Sequence, residues 1–215
     1  MTTFAGWPNS ATEFYEGLEA DNSREYWLAH KDVYERDVRG PMEALADELG
    51  GEFGEAHIFR PNRDIRFSAD KSPYKTAIGM ALTRGFVQFS AAGLMVGAGC
   101  HVMAPDQLAR YRAAVAEADG GDALAAAVDE VRAAGLEVGA RESLKTMPRG
   151  IPADATHADL LRFKDIAATR EWPVEPWLRT AETRTRIVQA LRASAPLVDW
   201  LDANVGPSTQ ERGRR

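Results

Sequence analysis

The sequence contains one cysteine, Cys100, so the chain cannot form an internal disulfide. No apolar run approaches the roughly 20 residues that a membrane-spanning helix needs. The first ten residues, MTTFAGWPNS, lack the basic and apolar regions of a signal peptide. These absences predict a cytoplasmic protein that does not associate with a membrane.

Motifs for metals and cofactors are missing as well. The four histidines are scattered, without HxxxH or HxH spacing and without a Cys/His cluster, which argues against a metal site. The chain has no GxSxG, no Walker A loop and no GxGxxG after a predicted strand, so we expect no cofactor. Cys100 is expected to be a small buried residue rather than a nucleophile.

The overall charge is acidic, with a net charge of −6 and a pI of about 5.3. This balance argues against a general nucleic-acid binder, which usually presents a basic face. Lysine is scarce, since 21 of the 26 basic residues are arginine. Arginine suits fixed, planar pairing with carboxylate or phosphate groups.

Length and pattern predict one globular α+β domain over residues 1–205. The hydrophobic content of 45% is enough for a sizeable core. Alternating residues and short turns around residues 56–102 predict an antiparallel β meander, packed with N-terminal, middle and C-terminal helices. The polar tail, residues 206–215, is predicted to be disordered.

Several helix ends are predicted from local signals. Ser10 and Asn22 are each followed three residues later by glutamate, the spacing of a capping box, which predicts helices starting just after them. Gly40-Pro41 predicts the start of a further helix, and Gly50-Gly51 predicts its end.

The most unusual stretch is Arg60–Thr76, RPNRDIRFSADKSPYKT, which we call the basic segment. Asp64 and Asp70 are its only acids, so the segment carries a local excess of three positive charges. Phe67 and Tyr74 lie between the charges. Its cations are Arg60, Arg63, Arg66, Lys71 and Lys75. Such an excess requires either internal carboxylate partners or an anionic ligand.

Alternation over Arg63–Ser68 predicts a strand, with Asp64 and Arg66 as neighbours on one face that can form an ion pair. Removing one partner of a buried pair leaves the surviving charge uncompensated, so Asp64→Asn is predicted to destabilise the protein strongly. Substitution of Lys71 or Lys75 by alanine should instead affect ligand binding.

Small residues on the strand faces admit two interpretations. Gly79 in the first strand of the meander, and Gly97 and Gly99 in the third, indicate close approach by another backbone or by a ligand. Either a helix packs closely on the sheet, or these glycines form the floor of a shallow site from which Lys75 and His101 project.

Three interpretations of the basic segment therefore stand side by side. The charges can form an internal salt-bridge scaffold. They can bind a phosphate or carboxylate through guanidinium groups. They can also contact a nucleic acid, with bases stacking on Phe67 or Tyr74.

The basic segment and several other stretches resemble the DUF2461 family, a group of mostly bacterial proteins of about this length. The resemblance covers nearly the whole chain. It is carried by the basic segment and by GLMVGAG (Gly93–Gly99), PDQLARYRAAV (Pro105–Val115), HKDVYERDVRGPMEALADEL (His30–Leu49), LKTMPRG (Leu144–Gly150) and HADLLRFK (His157–Lys164). The family has no known function, so the resemblance implies no activity and no catalytic residues.

We expect an Arg/Lys-rich pocket that binds a small anionic ligand; the alternative is a module for protein or nucleic-acid interaction. The candidate ligand-binding residues are Arg60, Arg63, Asp64, Arg66, Asp70, Lys71, Tyr74, Lys75 and His101. If the site were catalytic, the aspartates would act as a base or position arginines, the lysines would stabilise negative charge, and Tyr74 would donate a proton. The sequence shows no nucleophile, so binding without catalysis fits equally well.

Overall fold

The computed structural model describes residues 3–66 and 70–210, and the chain has an α+β fold, as predicted. Its helices are α1 (Asn9–Ala20), α2 (Arg24–Val33), α3 (Gly40–Phe53), α4 (Pro105–Ala116), α5 (Ala118–Ala133), α6 (Ala158–Arg162), α7 (Glu182–Ala193) and α8 (Ala195–Asn204). Its strands are β1 (Ala56–Ile58), β2 (Ala77–Leu82), β3 (Gly85–Ser90), β4 (Gly93–Cys100), β5 (Glu137–Gly139) and β6 (Ile166–Trp172). Among the described helices, none is long and apolar enough to cross a membrane.

The strands form one six-stranded antiparallel sheet in the order β1-β2-β3-β4-β6-β5. Strands β2, β3 and β4 follow one another in both sequence and space, which confirms the predicted meander. In the β2–β3 register Ala77 lies opposite Ser90 and Gly79 lies opposite Gln88. Because strand residues alternate between faces, these positions share the face opposite the buried Met80.

The chain divides into two compact units. The first comprises Met1–Val96 and Glu171–Ala190, and the second comprises Gly97–Arg170 and Leu191–Arg215. In the first unit Trp7 is buried and stacks on Phe89, with ring centroids 4.7 Å apart.

Helices α2 and α3 are joined without a break by a π-helical turn, Tyr34–Arg39. The predicted helix start at Gly40-Pro41 is confirmed, since α3 begins at Gly40 with Pro41 in its first turn, and the wide π-helical turn before it accommodates the proline ring. The predicted end at Gly50-Gly51 is wrong: α3 continues to Phe53, and Gly54 ends it with a φ of +83°.

The two predicted capping boxes are wrong for a common reason. The hydroxyl of Ser10 donates to Asp37 (2.6 Å), and α1 has no side-chain cap. The cap of α2 is Ser23, whose hydroxyl oxygen accepts from the backbone N–H of Tyr26 at 3.1 Å. The Asn22 side chain, which the spacing assigns to the start of α2, instead hydrogen-bonds to the backbone of Tyr74. In both cases a partner distant in sequence competes for the side chain that the local spacing assigns to a helix end.

The second unit has a separate apolar cluster and a buried carboxylate. Tyr111 and Trp200 meet edge to face in its core, with ring centroids 5.9 Å apart. Asp165 is buried and accepts hydrogen bonds from the backbone N–H groups of Arg141 and Glu142, at 2.7 and 3.1 Å. These bonds fix the loop that follows β5.

The C-terminal segment was predicted to be disordered from residue 206. The side chain of Asp106, in the first turn of α4, accepts hydrogen bonds from the hydroxyl of Ser208 and the N–H of Thr209, both at 2.8 Å. Residues 211–215 lie outside the described part of the chain.

Candidate functional site

The basic segment leaves the sheet after β1 and pairs with itself before β2. The N–H of Arg63 donates to the carbonyl of Pro73 at 2.9 Å, and the N–H of Lys75 donates to the carbonyl of Pro61 at 2.8 Å. Proline has no N–H, and this pattern uses only proline carbonyls. The two prolines can therefore hold the ends of the segment together.

Tyr74 anchors the basic segment to the protein. The side-chain amide of Asn22 accepts from the N–H of Tyr74 (3.0 Å) and donates to its carbonyl (3.1 Å), as a neighbouring strand would. The Tyr74 ring is 7% exposed and stacks on Trp27, with centroids 4.4 Å apart and planes 10° apart. Tyr74 was predicted as a ligand-binding residue, but its ring is part of the core.

Two of the predicted cations form ion pairs within the segment. Arg63 pairs with Asp70, and Arg66 pairs with Asp64 at 2.6 Å. The ammonium of Lys71 donates to the carbonyl of Ile65 at 3.0 Å. The salt-bridge interpretation therefore accounts for part of the segment.

Asp64 and Arg66 form their predicted pair, but not on a strand. Residues 63–66 are irregular, and the remainder of the predicted strand, residues 67–68, lies outside the described residues. The Asp64 carboxylate accepts from both the side chain and the backbone N–H of Arg66, and these hydrogen bonds lower its pKa to about 2. The pair is exposed, with 47% of the Asp64 side chain and 75% of the Arg66 side chain accessible, so the premise of a buried pair is wrong.

We therefore expect Asp64→Asn to leave the midpoint of urea denaturation close to that of the wild type, because exposed ion pairs contribute little. Asp165→Asn is the matched control, since Asp165 is 5% exposed and holds two backbone N–H groups. Its midpoint should fall clearly. A loss for Asp64→Asn as large as that for Asp165→Asn would contradict this assignment.

Lys75 is left without a carboxylate partner within the described chain, whereas the charge of Arg60 contributes to the lowered pKa of Asp64. The Lys75 ammonium lies 5.2 Å from the centroid of the Phe59 ring. Partial burial and, next, the positive charge of Arg60 lower the pKa of Lys75. The two cations are thus close enough to repel each other.

Lys75 borders a cleft of about 570 Å³ on the sheet face that carries Ala77 and Gly79. A Cβ added to Gly79 would lie 3.1 Å from the Phe86 ring and 3.3 Å from the Phe59 ring, so the glycine keeps the floor open between two aromatic walls. The cleft is lined by Phe59, Arg63, Asp64, Lys75, Thr76, Ala77, Gly79, Phe86 and Gln88. We call it the Lys75 cleft.

The structure distributes the predicted site residues unevenly. Arg63, Asp64 and Lys75 line the cleft, and Arg60 acts on it through its charge. His101 follows β4 and belongs to the second unit. The remaining predicted residues, which also lie outside the lining and make the contacts described above, are Arg66, Asp70, Lys71 and Tyr74.

Sequence reasoning missed four side chains of the cleft: Phe59, Thr76, Phe86 and Gln88. Strand register is a signal that could have found Phe86 and Gln88. Gln88 lies opposite Gly79, and Phe86 lies opposite Ala81 on the same face. The glycine was recognised as a marker of close approach, but its neighbours across the sheet were not.

Gly99, near the end of β4, has a different role from Gly79. Gly99 has a φ of +134°, and a Cβ there would lie 2.4 Å from the carbonyl oxygen of Ile166. This close approach by the backbone of β6 accounts for Gly99. Neither a ligand nor a packed helix is needed to explain it.

Among residues 3–66 and 70–210, no group of three or more His, Cys, Asp and Glu side chains lies close enough together to hold a metal ion.

Comparison with known proteins gives a family and no activity. No curated protein and no solved structure matches the chain. The family model described as "Conserved hypothetical protein (DUF2461)" matches residues 10–200 of the 215. Since this match covers most of the sequence, and includes the whole basic segment and the Lys75 cleft, the chain belongs to the DUF2461 family.

Proposed function

We propose that the protein binds a small anionic ligand, bearing a phosphate or a carboxylate, in the Lys75 cleft. The observation that supports this most strongly is the ammonium of Lys75. It is partly buried beside Arg60 and has no carboxylate partner among the described residues. A charge placed in this way raises the free energy of the unliganded protein, and a bound anion would compensate it.

The other walls of the cleft suit such a ligand. Arg63 keeps further N–H donors besides the one that contacts Asp70, because a guanidinium has five. Thr76 and Gln88 supply neutral polar groups, and the Phe59 ring supplies apolar contact. Charge-assisted hydrogen bonds from lysine and arginine would give both affinity and orientation.

A purely structural role explains less of the segment. Salt bridges engage Asp64 and Asp70, the segment's only acids, with Arg66 and Arg63. Lys75 remains, with its ammonium over the Phe59 ring and within reach of the positive charge of Arg60. Repulsion between like charges destabilises the folded protein, so a role in stability alone does not explain this arrangement.

The experiment is a titration with sulfate, which remains a dianion throughout the neutral and alkaline range. We expect Lys75→Ala to weaken sulfate binding about tenfold, because a hydrogen bond to a charged group contributes about 1.5–3 kcal/mol. Lys31→Ala removes an equal charge from the exposed face of α2 and should leave binding unchanged.

The same titration should depend on pH. The pKa of Lys75 is lowered in the free protein, and a bound anion raises it again, so binding takes up a proton. Affinity should therefore fall as the pH rises through the lowered pKa of Lys75. Lys75→Arg should bind sulfate with an affinity that stays constant over this range.

Equal sulfate affinity for the wild type and Lys75→Ala would overturn the proposal. So would a thermal-shift screen in which nucleotides, sugar phosphates and carboxylic acids all fail to stabilise the wild type. A ligand at about 100 times its dissociation constant should contribute roughly 2.7 kcal/mol. Tight binding of an oligonucleotide, with no response to small anions, would favour the interaction module instead.

A further inference from the structure

A second cavity, of about 340 Å³, adjoins the Lys75 cleft within the first unit. Gln88 lines both cavities. The second cavity is lined by Gln88, Ser90, Ala92, Gly93, Leu94, Met95, Glu171, Trp172 and Pro173. The two cavities share this glutamine and therefore lie side by side, and we call them together the groove.

The groove crosses the strands of the sheet. Its lining comes from β2 (Ala77, Gly79), then β3 (Gln88), then β4 (Met95), then the end of β6 (Glu171), which follows the strand order. Neighbouring strands are about 4.8 Å apart, so the three intervals from β2 to β6 span about 14 Å.

Strands β4 and β6 are in direct contact at the far end of the groove. A Cβ on Gly93 would lie 2.1 Å from the carbonyl oxygen of Trp172. The lack of a side chain on Gly93 therefore lets β6 approach, and the far end of the groove lies beside the lining residue Glu171.

The two ends of the groove carry opposite charge. Lys75 and Arg60 make one end positive, since the Asp64 carboxylate that also lines it is paired with Arg66. Glu171 is exposed, has no cationic partner among the described residues, and lines the other end. A carboxylate without a cationic partner favours an ammonium group, which can donate charge-assisted hydrogen bonds to it.

The middle of the groove is neutral and polar. The side-chain amide of Gln88 has no hydrogen-bond partner within the described chain, although an amide offers both donors and acceptors. A ligand that carries amide groups at this point would satisfy it.

We infer that the ligand is an elongated zwitterion, peptide-like in its middle, whose anionic end binds at Lys75 and whose ammonium binds at Glu171, across the roughly 14 Å that separate β2 from β6. This inference rests on the proposed anion site at Lys75 and extends it. An extended chain spans about 3.3–3.6 Å per residue, so four residues match the groove.

The test is calorimetric titration with tetra-alanine in three forms: with free ends, N-acetylated, and C-amidated. Lys75→Ala should lower the affinity for the free-ended and acetylated peptides about tenfold and leave the affinity for the amidated peptide unchanged. Glu171→Gln should lower the affinity for the free-ended and amidated peptides by a similar factor and leave the affinity for the acetylated peptide unchanged. Glu16→Gln, an equal charge change on the exposed face of α1, should alter none of them.

A second comparison tests the peptide-like middle. The probe is 12-aminododecanoate, which has the same two charged ends and no amide. Gln88→Ala should weaken tetra-alanine and leave aminododecanoate unchanged. Equal losses for both probes, or none for either, would overturn the peptide-like assignment.

The outcomes separate this inference from the proposed function. If Lys75→Ala weakens sulfate and peptide binding while acetylation and Glu171→Gln have no effect, the zwitterion is overturned and the anion site stands. The same holds if sulfate binds and none of the peptides does. If Lys75→Ala changes neither sulfate nor peptide binding, both proposals fall.

Discussion

Tyr74→Ala is expected to lower the free energy of unfolding by about 3–5 kcal/mol, the usual range for removing a large buried aromatic side chain. The ring is 7% exposed and stacks on Trp27 at 4.4 Å, so its loss leaves a cavity beside α2. Since Tyr74 is the contact that ties the basic segment to the helices, the same change should loosen the Lys75 cleft.

Urea denaturation followed by tryptophan fluorescence measures this effect, because Trp27 reports on the stack directly. Tyr74→Phe keeps the ring and should unfold at nearly the wild-type midpoint, since the Tyr74 hydroxyl has no hydrogen-bond partner among the described residues. Asn22→Ala removes both hydrogen bonds to the Tyr74 backbone, which should lower the free energy of unfolding by about 1–3 kcal/mol. Its unfolding midpoint should therefore lie between those of Tyr74→Ala and Tyr74→Phe. A Tyr74→Ala midpoint equal to that of Tyr74→Phe would show that the ring does not anchor the segment.

The sheet was the most predictable part of the fold. Each of the turns before β3 and β4 is two residues long, and alternation in Ala77–Leu82 and Gly85–Ser90 fixes which residues face the core. This information is local, so the sequence contains it in readable form. The meander and its faces followed directly.

Helix ends were less predictable, because the side chains that mark them have distant partners. Ser10 bonds to Asp37, 27 residues away, and Asn22 bonds to Tyr74, 52 residues away. A capping-box spacing is the same whether or not such a partner exists. Only the folded chain decides which contact the side chain makes.

The candidate site shows the same limit in its charges. The sequence identified the excess of positive charge in the basic segment, but not which charges are compensated. Arg63 forms an ion pair with Asp70, seven residues later in the sequence, and Asp64 forms one with Arg66, two residues later. That distribution leaves Lys75 without a carboxylate partner among the described residues, and it depends on backbone geometry that spacing alone does not specify.

The floor of the cleft, Gly79, gives the second large effect: Gly79→Leu is expected to weaken binding of sulfate and tetra-alanine at least about 100-fold, or about 2.7 kcal/mol. Its backbone does not have the positive φ that excludes side chains. A Cβ would enter between Phe86 and Phe59, at 3.1 and 3.3 Å, and the Phe59 ring, which is 36% exposed, would have to shift by a few tenths of an ångström. The leucine would therefore occupy the ligand's volume without unfolding the strand, where a glycine is itself unfavourable.

Ala81→Leu is the matched control. It adds the same side chain to the same face of β2, two residues further along, and Ala81 is not among the described residues that line the cleft. Titration of both variants, after circular dichroism has shown that each is folded, measures the difference. If Gly79→Leu binds sulfate and tetra-alanine as tightly as the wild type does, the ligand does not bind on this face of the sheet. An equal loss in Ala81→Leu would mean that any enlargement of the strand perturbs the protein, and the effect at Gly79 would then carry no information about the cleft.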